Sequence, residues 1–380
     1  MTPRASLRLL AALLVVAPAT ALAQGTLSTQ GFGYPTGTLS TRTLGTGGAL
    51  GEIDPLSVSN PSSILNLGGT ALYFQAEPEY RKLSLRGQTE SSTIARYPLV
   101  LGAVRISSSV AASLSATNLL DRSFETTTHG TVNVGGTDIG STNTFISDGA
   151  IGDVRLALAW EPASWLHLGL GAHAISGDNR LNSTQVFDDS TRYARLVDTS
   201  TVTYVGNAFS GGLELYAGRA AVFAASYRRG GTLSLKRGDT TKAEARVPDR
   251  LALSAAFLGI RGTTIAVRTA RDTWSNMAGL GSAGLTIHDS WDTSAGADVL
   301  GPQIFGRSLQ LRAGGRWRTL PFGVGTTAVR ERSLSLGAGT LIARGRAALD
   351  VAGIRATRDA TGLDVKETAW TLSFGITVRP

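Results

Sequence analysis

Ala369 to Arg379 reads AWTLSFGITVR, and its two faces differ more cleanly than those of any other stretch of the chain. Trp370, Leu372, Phe374, Ile376 and Val378 fall on one side, and Thr371, Ser373, Gly375, Thr377 and Arg379 on the other. Successive side chains of a strand alternate between faces, so the pattern predicts a β-strand with one apolar side and one small, polar side. A tilted strand of roughly 9 to 11 residues is what crosses the hydrocarbon core of a bilayer. Lipid against the apolar side and a polar lumen against the other would satisfy both faces.

The alternation recurs upstream. Segments 70–80, 97–106, 109–117, 153–161, 165–175, 204–216, 220–228, 250–258, 263–270, 290–300, 308–318, 332–343, 346–356 and 366–379 are candidate strands, about fourteen in all. An even number is the rule for single-chain bacterial outer-membrane barrels. Links 107–108, 162–164, 217–219, 259–262 and 344–345 are short, 301–307 is intermediate, and 118–152, 176–203, 229–249 and 271–289 are long and polar. Short turns at one rim and long loops at the other is the outer-membrane arrangement, with the long loops outside. Both termini then lie in the periplasm. Trp160 and Trp165 flank a short turn, while Trp274, Trp291, Trp317 and Trp370 sit near long-loop ends, which predicts two aromatic belts. The fold expected is all-β: a transmembrane antiparallel β-barrel of about 14 strands.

The N-terminus, MTPRASLRLLAALLVVAPATALAQ, carries Arg4 and Arg8, an apolar run from Leu9 to Ala17, and the small-x-small site Ala21-Leu22-Ala23. It reads as a secretory signal peptide over 1–23, cut before Gln24. Without Arg4 and Arg8, the 36 basic side chains become 34 against 28 acidic ones. The excess is scattered rather than clustered, so nucleic acid is not an expected partner. There are no cysteines, which excludes disulfides, thiolate metal sites and a cysteine nucleophile. No cofactor or metal is expected.

Within the barrel, the less apolar face of each strand should look inward. That set includes Arg155, His167, His173, Arg268, Arg312, Arg316 and Arg318. Arginine facing lipid near the midplane costs about 2–4 kcal/mol, so these side chains are expected in the lumen. Arg155, Arg268, Arg312, Arg316 and Arg318 are candidate ligand-binding residues, as a basic patch for a carboxylate headgroup. The bland alternative is a solvated or ion-paired lining. Enzyme signatures are weak: no G-x-S-x-G elbow occurs, the histidines at 129, 167, 173 and 288 lack metal-ligand spacing, and Gly279 to Gly284 fits G-x-G-x-x-G without a surrounding βαβ unit. His167 and His173 share a face but show no evident acid partner. The chain reads as a non-enzyme, with serine-hydrolase chemistry in the barrel as a minor alternative.

Leu44 to Ile64, LGTGGALGEIDPLSVSNPSSI, resembles the N-terminal glycine-rich stretch of FadL-like proteins, in which an acid precedes an Asn-Pro-Ala motif. Here these are Asp54 and Asn60-Pro61, with Ser62 where alanine is usual. Val247-Pro248 ahead of LALSAAFLGI, and LRAGGRWRTLPF from Leu311 to Phe322, extend the resemblance over nearly the whole mature chain. The FadL-like family comprises outer-membrane transporters of long-chain fatty acids and other hydrophobic compounds, with the PorV-like barrels as relatives. The resemblance implies a plug over 24–69 folded into a barrel over 70–380. Asp54, Asn60 and Pro61 are candidate plug or gate residues: a turn built by Asn60 and Pro61 is either a movable gate in the plug or simply the start of the first strand, and the inward basic patch could pin the plug through Glu52 or Asp54.

The function expected is passive passage of small hydrophobic molecules, such as fatty acids or hydrocarbons, across the bacterial outer membrane. Outer-membrane lipid and the hydrophobic molecules are then the partners. The alternative is a PorV-like docking barrel whose partners are proteins of a secretion or surface-attachment system.

Overall fold

A computed structural model describes residues 32–85, 88–134, 137–280, 286–304, 306–324, 326–361 and 365–379. The expected signal peptide, its cleavage site and part of the G-x-G-x-x-G stretch lie outside the described residues. The first part of the barrel comprises β1 (Ala71–Leu85), β2 (Gln88–Arg96), β3 (Leu99–Arg105), β4 (Val110–Asp121), β5 (Phe124–Val134), β6 (Thr137–Ala163), β7 (Leu166–Phe187) and β8 (Leu196–Ala217). The second comprises β9 (Ala221–Arg237), β10 (Thr240–Arg246), β11 (Arg250–Ile260), β12 (Thr263–Asp272), β13 (Ser290–Ile304), β14 (Arg307–Val324), β15 (Thr327–Ile342), β16 (Ala347–Ala360) and β17 (Val365–Val378). Three staves are broken in two, β2/β3, β4/β5 and β10/β11, so the seventeen strands make a closed barrel of fourteen staves.

Each stave pairs antiparallel with the next, and β17 closes the barrel on β1 from Leu72↔Val378 to Leu85↔Val365. Closure leaves no long free edge, which for a strand-built span in lipid is obligatory. The terminal strand behaves as its pattern demands: Trp370, Leu372 and Phe374 stand on the outer surface, while Ser373 and Thr377 are buried within. Leu170, Leu334 and Leu336 are at least 70% exposed on the outer wall. A contiguous apolar exterior of this kind is tolerated in lipid and not in water.

The loops expected over 118–152, 176–203 and 229–249 are mostly strand. β6, β7 and β8 run 27, 22 and 22 residues, well past the roughly 9 to 11 that a crossing requires. Beyond the membrane both faces of a hairpin meet water, so alternation vanishes from the sequence while the backbone ladder continues. The described part of the link at 273–289, residues 273–280 and 286–289, holds no strand. It folds inward as a 3-10 turn, Trp274–Leu280, and Trp274 is 3% exposed rather than part of an aromatic belt. Arg271 and Ser275 clamp the loop through Asp289, which accepts from Arg271 Nη2 at 3.1 Å and from Ser275 Oγ at 2.7 Å. Against the pull of partial burial, these hydrogen bonds hold the Asp289 carboxyl below the usual carboxylate range.

Residues 32–69 run through the lumen. A short helix α1 (Thr41–Gly45) is capped by Ser40, whose hydroxyl accepts from Thr43 N at 3.1 Å. Asp54 ties this stretch together: its Oδ2 accepts from Thr43 Oγ1 at 3.0 Å, from Ser57 Oγ at 3.1 Å and from Ser40 Oγ. Asn60 caps a 3-10 turn, Pro61–Asn66, by accepting from Ser62 N at 3.0 Å.

Candidate functional site

The barrel wall is interrupted toward its long-hairpin end. β3 and β4 pair from Leu99↔Thr117 to Arg105↔Ala111, and among the described residues no ladder joins β2 to β4 or β5 beyond that point. Pro98, between β2 and β3, has no N–H to offer a ladder. Exposed strand edges leave backbone groups without partners, and the lumenal segment supplies one rung. Tyr34 N donates to Asp121 O at 2.7 Å, and Asp121 N donates to Tyr34 O at 2.9 Å. Arg96 Nε reaches across to Asp121 Oδ2 at 2.7 Å.

Arginines cage the Tyr34 ring. The guanidinium carbons of Arg81, Arg96, Arg318 and Arg358 stand 5.4, 4.8, 5.1 and 4.8 Å from its centroid, within cation–π range. Buried charges persist only when paired, and these are. Glu79 accepts from Arg81 at 2.7 Å and from Arg358 at 3.0 Å, and Glu331 accepts from Arg318 and Arg358 at 2.6 Å each. The Tyr34 hydroxyl donates to Glu331 at 3.2 Å and accepts from Arg358 at 2.9 Å and from Arg318.

Toward the long-hairpin end from Tyr34 the lumen is filled by a buried apolar cluster that includes Phe32, Leu119, Leu120, Trp274, Met277 and Phe322. Phe32 meets Trp274 edge to face, with centroids 6.0 Å apart. A cavity of about 50 Å³ lies at its base, where Leu119, Trp274 and Leu320 face Arg228, Arg250 and Arg316.

The five arginines singled out in the sequence all face this interior. Arg268, 2% exposed, bridges Glu52 of the lumenal segment and Asp292 of β13, at 3.1 Å each. Arg316 also binds Asp292, at 2.6 Å. Arg312 joins Asp298 and Asp350 at 3.2 and 2.6 Å, and Arg42 of α1 shares Asp298 at 3.0 Å. Arg318 belongs to the Tyr34 cage, and Arg155 Nη1 donates to Val58 O at 2.7 Å. Asp54 lies 4.0 Å from Arg42 but makes its hydrogen bonds within the segment. Asn60 Nδ2 donates to Glu52 O at 2.8 Å and Leu213 O at 3.4 Å.

Glycines of the wall seat the segment by close backbone approach. A Cβ at Gly314 would overlap Thr46 and Gly47, and one at Gly212 or Gly169 would overlap the Asn60-Pro61-Ser62 corner. Replacing Arg268 with methionine should lower stability by roughly 3–5 kcal/mol, because Glu52 and Asp292 then lose a buried partner. Unfolding followed by heat-shifted gel mobility reads this directly.

Sequence reasoning missed Tyr34 and the inward acids Glu79, Asp153, Asp292, Glu331 and Glu367. The signal for the acids was available: the rule that turns arginine inward applies equally to carboxylates. It also missed acid partners for the two lumenal histidines. His167 Nδ1 stands 3.1 Å from Glu214 Oε2, and His173 Nδ1 stands 2.8 Å from Asp153 Oδ1. These partners lie 47 and 20 residues away in the chain, and only strand register makes them neighbours.

No protein-family model matches the chain, and no curated protein matches it. Solved structures do. A FadL homologue of Pseudomonas aeruginosa superposes with a TM-score of 0.63 at 12% identity, covering 91% of this chain and 99% of that one. The monoaromatic hydrocarbon channel CymD gives 0.59 at 12% identity, over 90% of this chain and 97% of its own. The toluene transporter TodX of Pseudomonas putida gives 0.57 at 11% identity, over 93% and 99%. At these identities the shared property is the fold, that of the FadL-type outer-membrane barrel.

Proposed function

We propose that this chain, a barrel of the FadL type, lies in a bacterial outer membrane and lets small hydrophobic molecules pass down their concentration gradient. Residues 24–69 are the plug and 70–380 the barrel, with the long hairpins outside and both termini periplasmic. The observation that supports this best is a wall left open beside an apolar lumen, and closed by Tyr34. A small hydrocarbon enters the apolar cluster from outside, displaces Phe32 and Tyr34, and leaves sideways between β2 and β4 into the membrane. Likeness in fold to a toluene transporter and a monoaromatic hydrocarbon channel favours hydrocarbons of that size.

Arg155, Arg268, Arg312, Arg316 and Arg318 then act chiefly on the plug. Arg268 reaches it through Glu52, Arg318 through Tyr34 and Arg155 through Val58, while Arg312 shares Asp298 with Arg42. Asp54, Asn60 and Pro61 belong to its fixed part, and residues 32–38 to the part that moves.

The test is uptake of labelled toluene by cells lacking their own hydrocarbon channels. Expression of the chain should raise the initial rate severalfold, and Tyr34→Gly, which removes the caged ring, should raise it further. Uptake no faster than in the empty host would overturn the reading and favour the docking-barrel alternative.

A further inference from the structure

Three adjacent strands each aim one polar side chain into the same corner of the lumen: Asp153 on β6, His173 on β7 and Ser210 on β8. β6 and β7 pair Arg155↔His173, and β7 and β8 pair Gly171↔Ser210, so the three residues lie on a diagonal across one face. His173 Nδ1 is 2.8 Å from Asp153 Oδ1, and its Nε2 is 2.9 Å from Ser210 Oγ. A carboxylate only accepts, so Nδ1 carries the proton and Nε2 is left to accept from the serine hydroxyl. This is the order acid, base, nucleophile that activates a serine. All three residues are at least nine-tenths buried.

The surroundings fit the same chemistry. A Cβ at residue 171 would stand 2.5 Å from Ser210 Oγ and 3.3 Å from Arg155 Cδ, so Gly171 is what lets these two side chains share the corner. Arg155 is 3% exposed, and its Nε has no hydrogen-bond partner among the described residues; the same holds for Arg228 Nε and Arg250 Nε. The three arginines line a cavity of about 10 Å³ together with His173 and Ser210. Thr38, Thr117, Asp153, Arg228 and Arg250 also line the larger cavity that opens on Leu119, Trp274 and Leu320 of the apolar cluster. Guanidinium N–H groups in a dry corner are suited to a developing oxyanion.

We infer that Asp153, His173 and Ser210 form a nucleophilic triad that cleaves carboxylic esters whose apolar part occupies the neighbouring cluster. Ser210 Oγ bonds to the ester carbonyl carbon as His173 Nε2 takes its proton, and the carbonyl π pair moves onto oxygen beside the arginines. Collapse breaks the carbon–oxygen bond to the leaving alcohol, which receives the proton from His173. Water then attacks the acyl-Ser210 carbonyl in the same way, releasing the carboxylic acid and restoring the serine. Asp153 holds the imidazole in its tautomer and orientation. Thr38, Val58 and Ser59 cover the corner, and of these Thr38 belongs to the part of the plug that moves, so ester access requires residues 32–38 to shift. That route rests on the transport reading; the triad itself does not.

The test treats the purified full chain in detergent with diisopropyl fluorophosphate and maps the adduct by mass spectrometry, with folding followed by heat-shifted gel mobility. The expected result is phosphorylation of Ser210 with loss of fluoride. The adduct should be absent in Ser210→Ala and slowed by roughly 10²-fold in His173→Ala, with hydrolysis of p-nitrophenyl butyrate falling in parallel. Val58→Gly thins the cover and should speed labelling. No adduct at Ser210 in either the folded wild type or the folded Val58→Gly chain would overturn the inference. A barrel that takes up toluene without labelling Ser210 would overturn it while leaving the transport reading standing.

Discussion

Deleting residues 32–67 should turn a barrel that passes almost no ions into one that conducts steadily in planar bilayers, with conductance rising by at least an order of magnitude. The intact lumen holds α1, the Asp54 knot, the 3-10 turn and the apolar cluster around Phe32, and the cavity left between that cluster and Arg228, Arg250 and Arg316 is about 50 Å³. A cavity of that size holds a water or two and no hydrated path. The deleted stretch carries one cation, Arg42, and two acids, Glu52 and Asp54. Its removal leaves the lining more positive, with Arg268 retaining only Asp292, so the new conductance should favour anions. Reversal potentials across a salt gradient check the sign. A deletion barrel that folds and stays non-conducting would show that the wall staves, rather than this segment, close the lumen.

Gly314→Val should dislodge the segment without removing it. The backbone of Thr46 and Gly47 lies so close to residue 314 that a side chain there would overlap main-chain atoms of both. Main chain cannot rotate aside as a flexible side chain can, and forcing it typically costs 1–3 kcal/mol or more. Arg42 is the only lysine or arginine between residues 32 and 67, and its neighbours Thr41 and Thr43 are fully buried. Trypsin should therefore leave the Arg42–Thr43 bond of the folded wild type intact and cut it readily in the variant, giving a fragment that begins at Thr43. The same substitution should raise ion conductance toward that of the deletion.

Much of the barrel was legible because lipid enforces a simple rule. Where one face of a strand meets hydrocarbon and the other meets a polar interior, the alternation is written into every second residue, as in Trp370, Leu372 and Phe374 against Ser373 and Thr377. The same rule placed Arg268 and Arg312 on the interior side. It fell silent beyond the membrane, where β5 and the far ends of β6 to β10 have water on both sides and read as loops. It also misassigned Trp274, since an aromatic near a strand end looks the same whether it stays at the membrane interface or, as here, follows a 3-10 turn inward.

By itself, then, the sequence determined the fold class, the fourteen staves, their inward and outward faces and the end that carries long connections, because each follows from one-dimensional periodicity. Only the tertiary structure decided which charges neutralise which, how Tyr34 replaces a missing rung beside Pro98, and that Asp153, His173 and Ser210 converge. Those depend on the register between strands and on the path of a glycine-rich segment through the lumen. Neither leaves a periodic trace, since a partner across the barrel can lie hundreds of residues away, as Tyr34 does from Arg358.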